Sequence, residues 1–179
     1  YPGISAFQKA ASILGAPVGH DFCVISLSDL MTPWEVIEKR VTAAATADFV
    51  TAVYNPRSHG RYWQLHRLKE IFIASGRSLS TPVGLVRQAG RPEQTAVLVS
   101  LGDFNPDDAD MFTVVLIGNS QSYLRDGRFI TPRGYYSDDA AATGRVGQDI
   151  MIRSFLAIES ELKDNDISLG RKWALLHAI

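Results

Sequence analysis

Cysteine is nearly absent: Cys23 is the one thiol in 179 residues. A lone cysteine excludes an internal disulfide and any multi-cysteine metal centre, and it fits a reducing cytosol. Histidine is sparse too, and His20, His59, His66 and His177 lack the spacing of a zinc site. No metal is expected. No apolar run approaches the ~20 residues that cross a bilayer, and no basic-then-apolar segment marks a secretion signal. Net charge is −1, so bulk charge argues for neither nucleic acid nor an anionic membrane as partner. A nucleophile elbow, a P-loop and a Rossmann glycine fingerprint are all missing. The expectation is a cytoplasmic protein without nucleic-acid or membrane partners.

What is present is a core of ordinary size, with 46% hydrophobic residues. Ser5 with Gln8 forms a capping-box pattern ahead of Phe7, Ala10, Ala11 and Leu14 at helical spacing, and Gly15 and Pro17 stop that helix. Thr32 with Glu35 repeats the pattern, with Pro33 at the first helical position and Trp34, Ile37, Val41 and Ala44 as the apolar stripe. A third helix is expected from about Gly60 to Ser75. Five apolar runs of strand length lie between or after these: Phe22–Leu27, Phe49–Tyr54, Pro82–Val86, Ala96–Leu101 and Phe112–Ile117. A final ribbon falls around Arg128–Thr131, with Asp126-Gly127 as a hairpin turn. Near-continuous apolar strands imply a sheet covered on both faces. The later strands lack intervening helices of that length, which implies antiparallel or mixed pairing. The expected fold is α/β, a mixed sheet with helices on both faces, over residues 1–136.

Residues 137–147 are small and polar and read as a linker. Met151, Phe155, Ile158 and Leu162, then Leu169, Trp173 and Leu176, recur at helical spacing. Residues 148–179 are therefore expected to be a short helical extension that begins a truncated second domain.

In open α/β sheets, ligands bind beyond the carboxyl ends of strands. Here those ends carry Ser28 and Asp29, Tyr54 and Asn55, Arg87 to Arg91, and Gly118 to Ser120. Four polar ends in one domain imply a binding rim. Arg57, Arg61, Arg87, Arg91 and Arg133 lie at or near them. Any single arginine is most simply a surface charge, but the group fits a ligand with several carboxylates or phosphates.

The phrases PGISAFQKAASILGAPVGHDFCVISLSDLMTPWEVIEKR, AVYNPRSHGRYWQL, VGLVRQAGRP, VVLIGNSQSY and FITPRGY resemble the precorrin-3B C(17)-methyltransferase family of the tetrapyrrole methylase superfamily. The resemblance covers about residues 1–135 and corresponds to that family's C-terminal half. It implies S-adenosylmethionine as methyl donor, held in a trough between two α/β domains. It also implies methylation of C-17 of precorrin-3B, or of its cobalt form, with ring contraction in cobalamin biosynthesis. A homodimer is the implied assembly of the full-length protein.

Carried over to this chain, the resemblance implies donor contacts at Ser5, Ala6, Tyr54, Asn55, Ala89, Thr113 and Val114. The carboxylate-bearing macrocycle would meet Ser28, Arg57, Arg61, Arg91 and Asn119. Asp29, His20 and Arg133 are the candidates for the proton transfers of ring contraction. The donor's sulfonium is already activated, so alignment and charge stabilisation are the main demands on the protein. The tail IMIRSFLAIESEL, followed by WALLHAI, resembles the start of a precorrin-8X methylmutase, with His177 at the place of that family's working histidine. The chain opens mid-phrase and carries no glycine-rich donor loop. It is expected to be a piece of a longer protein, with weak donor binding and no turnover alone. The alternatives are methylation at another ring position and a catalytically idle tetrapyrrole-binding or assembly domain.

Overall fold

The computed structural model describes residues 3–58 and 60–133. The expectations for His59, the linker and the helical tail therefore lie outside the described residues. The chain divides into two units, Tyr1–Arg133 and Gly134–Ile179, and the described elements all belong to the first.

In chain order the elements are α1 (Ala6–Leu14), β1 (Gly15–Ala16), β2 (Phe22–Ser26), α2 (Trp34–Thr46), β3 (Val50–Tyr54) and α3 (Gln64–Ala74). After these come β4 (Pro82–Arg87), β5 (Thr95–Ser100), a single 3-10 turn at Pro106–Asp108, β6 (Thr113–Ile117), β7 (Tyr123–Arg125) and β8 (Arg128–Ile130). The main sheet has the order β2-β3-β6-β4-β5. β2 pairs with β3 in parallel, and every other pair in it is antiparallel. The expected mixed sheet is present.

Central strands β3 and β6 are buried almost throughout, whereas edge strands β2 and β5 are half exposed. Period-two alternation divides the core. Val53, Val83, Leu85, Val115 and Ile117 pack under α2 and α3 with Ile37, Val41, Leu68 and Phe72. Ala52, Val86, Val114 and Leu116 pack on the other face with Phe7, Ala10 and Leu14 of α1. Both faces are covered, as the continuous apolar strands imply. Gly84 permits the close seating of α1, because a Cβ there would lie 2.4 Å from Leu14 Cδ1.

The second sheet, β1-β8-β7, is a satellite. Asp126 and Gly127 take φ values of 50° and 68°, the two left-handed residues of the expected hairpin turn. Phe129 of β8 joins the α1 side of the core.

Two local expectations need correction. Pro33 caps α2 rather than starting it, and the Thr32 side chain makes no capping bond. The Pro33 carbonyl accepts from the Val36 and Ile37 N–H groups instead. α3 begins at Gln64 rather than Gly60. A tight pair of bonds, Ser58 N–H to Arg61 O at 2.9 Å and Arg61 N–H to Ser58 O at 3.1 Å, holds the chain out of helix until then.

Candidate functional site

The strand directions define the site. β2, β3 and β4 all point one way, because β3 and β4 are each antiparallel to β6. Their carboxyl ends, Ser26, Tyr54 and Arg87, therefore share one edge of the sheet with the amino ends of β5 and β6. Asn55 and Gln88, the residues that leave β3 and β4, have φ of 50° and 51°. Left-handed non-glycine residues are uncommon and cluster where a surrounding structure enforces them.

Two clefts open at this edge, with Met111 bordering both. The smaller, about 230 Å³, is walled by Ala6, Tyr54, Asn55, Ala89, Thr113 and Val114, together with Arg91 and Phe112. Six of the seven expected donor contacts thus come together from four separate segments. Ser5 is the seventh; it precedes Ala6, and its N–H donates to Gln8 Oε1 at 3.1 Å. The α1 amino end is tied to the strand edge by the Phe7 N–H, which donates to the Tyr54 hydroxyl at 2.9 Å.

The larger cleft, about 490 Å³, is lined by Arg57, Ser58, Tyr62, Ala109, Asp110 and Met111. Its arginine is already engaged: Arg57 lies 2.7 Å from the Asp107 carboxylate and also donates to the Asp107 carbonyl at 3.0 Å. A hydrogen bond from His66, aided by Arg57, holds the Asp107 carboxyl below the usual carboxylate range. Arg87 binds Asp110 at 2.6 Å. Burial pushes the Asp110 carboxyl up, but Arg87, the Thr113 hydroxyl and the Phe112 N–H together outweigh it, and the group titrates below its ordinary value.

A third cluster joins the ends of β2 and β3. Asn55 Nδ2 donates to Ser26 Oγ at 2.9 Å, which in turn accepts from the Ser28 N–H at 3.2 Å. Arg61 Nε donates to the Asn55 carbonyl at 2.9 Å, and its guanidinium stands 4.0 Å from Asp29. Gln64 Nε2 donates to the Asp29 carboxylate at 2.8 Å. Asp29, Ser28, Arg57, Arg61 and Arg91 therefore all belong to this edge.

Three expected residues do not. β6 runs against its neighbours, so its carboxyl end, with Asn119, lies at the opposite edge. There the Asn119 side chain is buried and accepts from the Gln121 N–H and the Ser122 hydroxyl. His20 precedes β2 and is likewise at the opposite edge, its Nδ1 accepting from the Asp21 N–H at 2.8 Å. Arg133 follows Thr131, whose hydroxyl bonds Ser122 beside Asn119. The rim has three strand ends rather than four, and Asp29 alone of the three proton-transfer candidates stands on it. Strand direction is a property of pairing, which no local residue pattern carries. Gln88, within the Arg87 to Arg91 strand end, does line the smaller cleft. Gln64, Tyr62 and Met111 are not among the expected site residues; a polar residue opening an apolar helix is the one sequence sign of Gln64, and the other two have none.

The chain is an α/β domain with clefts beyond its strand ends, where domains of this class bind small ligands. The signature of the "Tetrapyrrole (Corrin/Porphyrin) Methylases" matches residues 1–105, and the chain belongs to that family. It is 54% identical over 134 residues to a Salmonella typhimurium protein named "Probable cobalt-factor III C(17)-methyltransferase", covering 75% of this chain and 55% of that one. It is 45% identical over 139 residues to a "Precorrin-3B C(17)-methyltransferase" of Sinorhizobium sp, covering 75% of this chain and 54% of the relative. The solved structure of the methyltransferase CobJ superposes with a TM-score of 0.70 at 44% identity, over 73% of this chain and 54% of that one. The chain thus spans about half the length of these relatives. Among the described residues no helix is long and apolar enough to cross a membrane.

Proposed function

We propose that this chain is the C-terminal half of an S-adenosylmethionine-dependent methyltransferase. The proposed reaction methylates C-17 of precorrin-3B, or of its cobalt form, with ring contraction in cobalamin biosynthesis. The observation that carries the reading is the convergence of Ala6, Tyr54, Asn55, Ala89, Thr113 and Val114 on one cleft.

The residues fit part of the donor. Aromatic and small apolar walls (Tyr54, Phe112, Ala6, Ala89) suit an adenine ring and a ribose face, while Asn55 and Thr113 offer polar atoms. At about 230 Å³ the cleft falls below the roughly 300–1,000 Å³ of complete ligand sites, which agrees with a trough completed by another domain. The donor supplies a sulfonium-bound methyl group that needs no protein nucleophile.

This chain's own tasks are alignment and anion recognition. Tyr54 holds α1 in register with the strand edge. Ser28, Arg57, Arg61 and Arg91 would meet the substrate's carboxylates, and a substrate carboxylate at Arg57 would compete with Asp107. Asp29 is the proposed proton-transfer group. The complete enzyme is proposed to be a cytoplasmic homodimer. Residues 148–179 are proposed as the start of a methylmutase-like domain, with His177 at the place of that family's working histidine.

The test is turnover by the protein expressed from its whole coding sequence, with the methylated carbon of the product located by NMR. Methyl transfer to C-17 supports the reading. Methylation elsewhere on the ring replaces it with the sister activity, and tetrapyrrole binding without methyl transfer replaces it with a binding role.

A further inference from the structure

We propose that Gln64 is the positioning residue for Asp29, fixing that carboxylate at the substrate edge of the sheet; this rests on the methyltransferase reading above. Gln64 opens α3 and is 1% exposed. Its Nε2 donates to Asp29 Oδ2 at 2.8 Å, whereas its Oε1 is buried and has no hydrogen-bond partner.

A buried acceptor without a partner destabilises a fold. A leucine at this position would remove that cost. Local stability therefore does not account for an amide here. Its bond to Asp29 does.

The carboxylate is held from a second direction. Arg61 is the charged side chain among the described residues that reaches it, at 4.0 Å. Arg61 is itself pinned by its 2.9 Å bond to the Asn55 carbonyl. Asn55 in turn bonds Ser26 at the end of β2. Asp29 thus sits between an amide from α3 and a guanidinium from the β3–α3 connection. The gain of such a clamp is geometric, since proton transfer requires the oxygen within hydrogen-bond reach of the reacting atom.

The test uses Gln64→Leu and Gln64→Glu in the protein expressed from its whole coding sequence. Gln64→Leu should unfold at the same or a higher denaturant concentration than wild type. Its kcat for methyl transfer should nevertheless fall at least about tenfold, as misplacement of a reacting group does, with the KM for the methyl donor unchanged. Gln64→Glu puts a carboxyl at a position 1% exposed, where burial favours its protonated form, so its O–H can donate to Asp29 as the amide does. Gln64→Glu should therefore retain most of the wild-type kcat at neutral pH and lose it at higher pH, as the introduced carboxyl ionises. Wild-type kcat in Gln64→Leu, an activity loss that only tracks lost stability, or a kcat in Gln64→Glu as low as that of Gln64→Leu would each overturn the positioning role while leaving the methyltransferase reading intact. Absence of methyl transfer by the wild-type protein would overturn that reading and this inference with it.

Discussion

The Tyr54 hydroxyl accepts the Phe7 N–H at 2.9 Å, so the carboxyl tip of β3 and the first turn of α1 are joined across the wall of the smaller cleft. Phe7 N–H is one of the helix-start amides that lack a partner within the helix. A side chain 47 positions away supplies it.

Replacing Tyr54 by Phe leaves that amide unpaired. Stability should fall by about 1 kcal/mol, the net worth of one such bond. Calorimetric titration with the methyl donor should show weaker binding by the variant, because the α1 end no longer holds its place beside Asn55. Unchanged affinity would mean that the α1 seat is set by packing alone.

Gly84→Ala should destabilise by about 1–3 kcal/mol, the usual cost of an overfilled core. The added methyl would lie 2.4 Å from Leu14 Cδ1, and Leu14 is 2% exposed. Pairing it with Leu14→Ala should cost less than the two single changes summed, because the contact is shared. Urea unfolding of the four proteins closes the cycle.

Asp48 accepts from the buried Arg77 guanidinium and from both the N–H and hydroxyl of Ser120. Burial pulls the Arg77 titration down, opposed by the Asp48 charge. Asp48→Ala strands a buried cation and should lose about 3–5 kcal/mol. The double variant Asp48→Ala, Arg77→Met should recover part of this in denaturant melts, since the unpaired charge is gone.

Asp110 contributes to the acid limb of stability. Its folded titration lies below the unfolded value of about 3.9, so its contribution is complete above that pH. The contribution is lost as pH falls through the lower folded value. Denaturation midpoints measured from pH 6 to pH 3 should drop less steeply for Asp110→Asn than for wild type. The side chain is 41% exposed, so the difference should shrink in high salt.

Short-range residue patterns account for some of this and not the rest. The α1 stripe of Phe7, Ala10 and Leu14, the strand at Val50–Tyr54 and the turn at Asp126-Gly127 each depend on neighbours within a few positions, and each is present. The Thr32–Glu35 cap does not form: Pro33 is extended, with φ −56° and ψ 144°, and its own carbonyl accepts the first helix amides. Helix spacing puts the start of α3 at Gly60, earlier than Gln64, because it does not report that Ser58 and Arg61 bond each other.

The residue strings by themselves determined the family, the covered two-faced sheet and most of the walls of the smaller cleft, because these follow from local periodicity and from specific phrases. Only the tertiary structure decided which strand ends share an edge. The reversal of β6 between β3 and β4 sends Asn119 to the far side and brings Thr113 and Val114 to the cleft. Asp29 follows β2 onto the site, whereas His20 precedes that strand and Arg133 follows β8. Strand order and direction arise from hydrogen bonding between segments distant in the chain, and such pairing leaves no mark in the local alternation of apolar and polar residues.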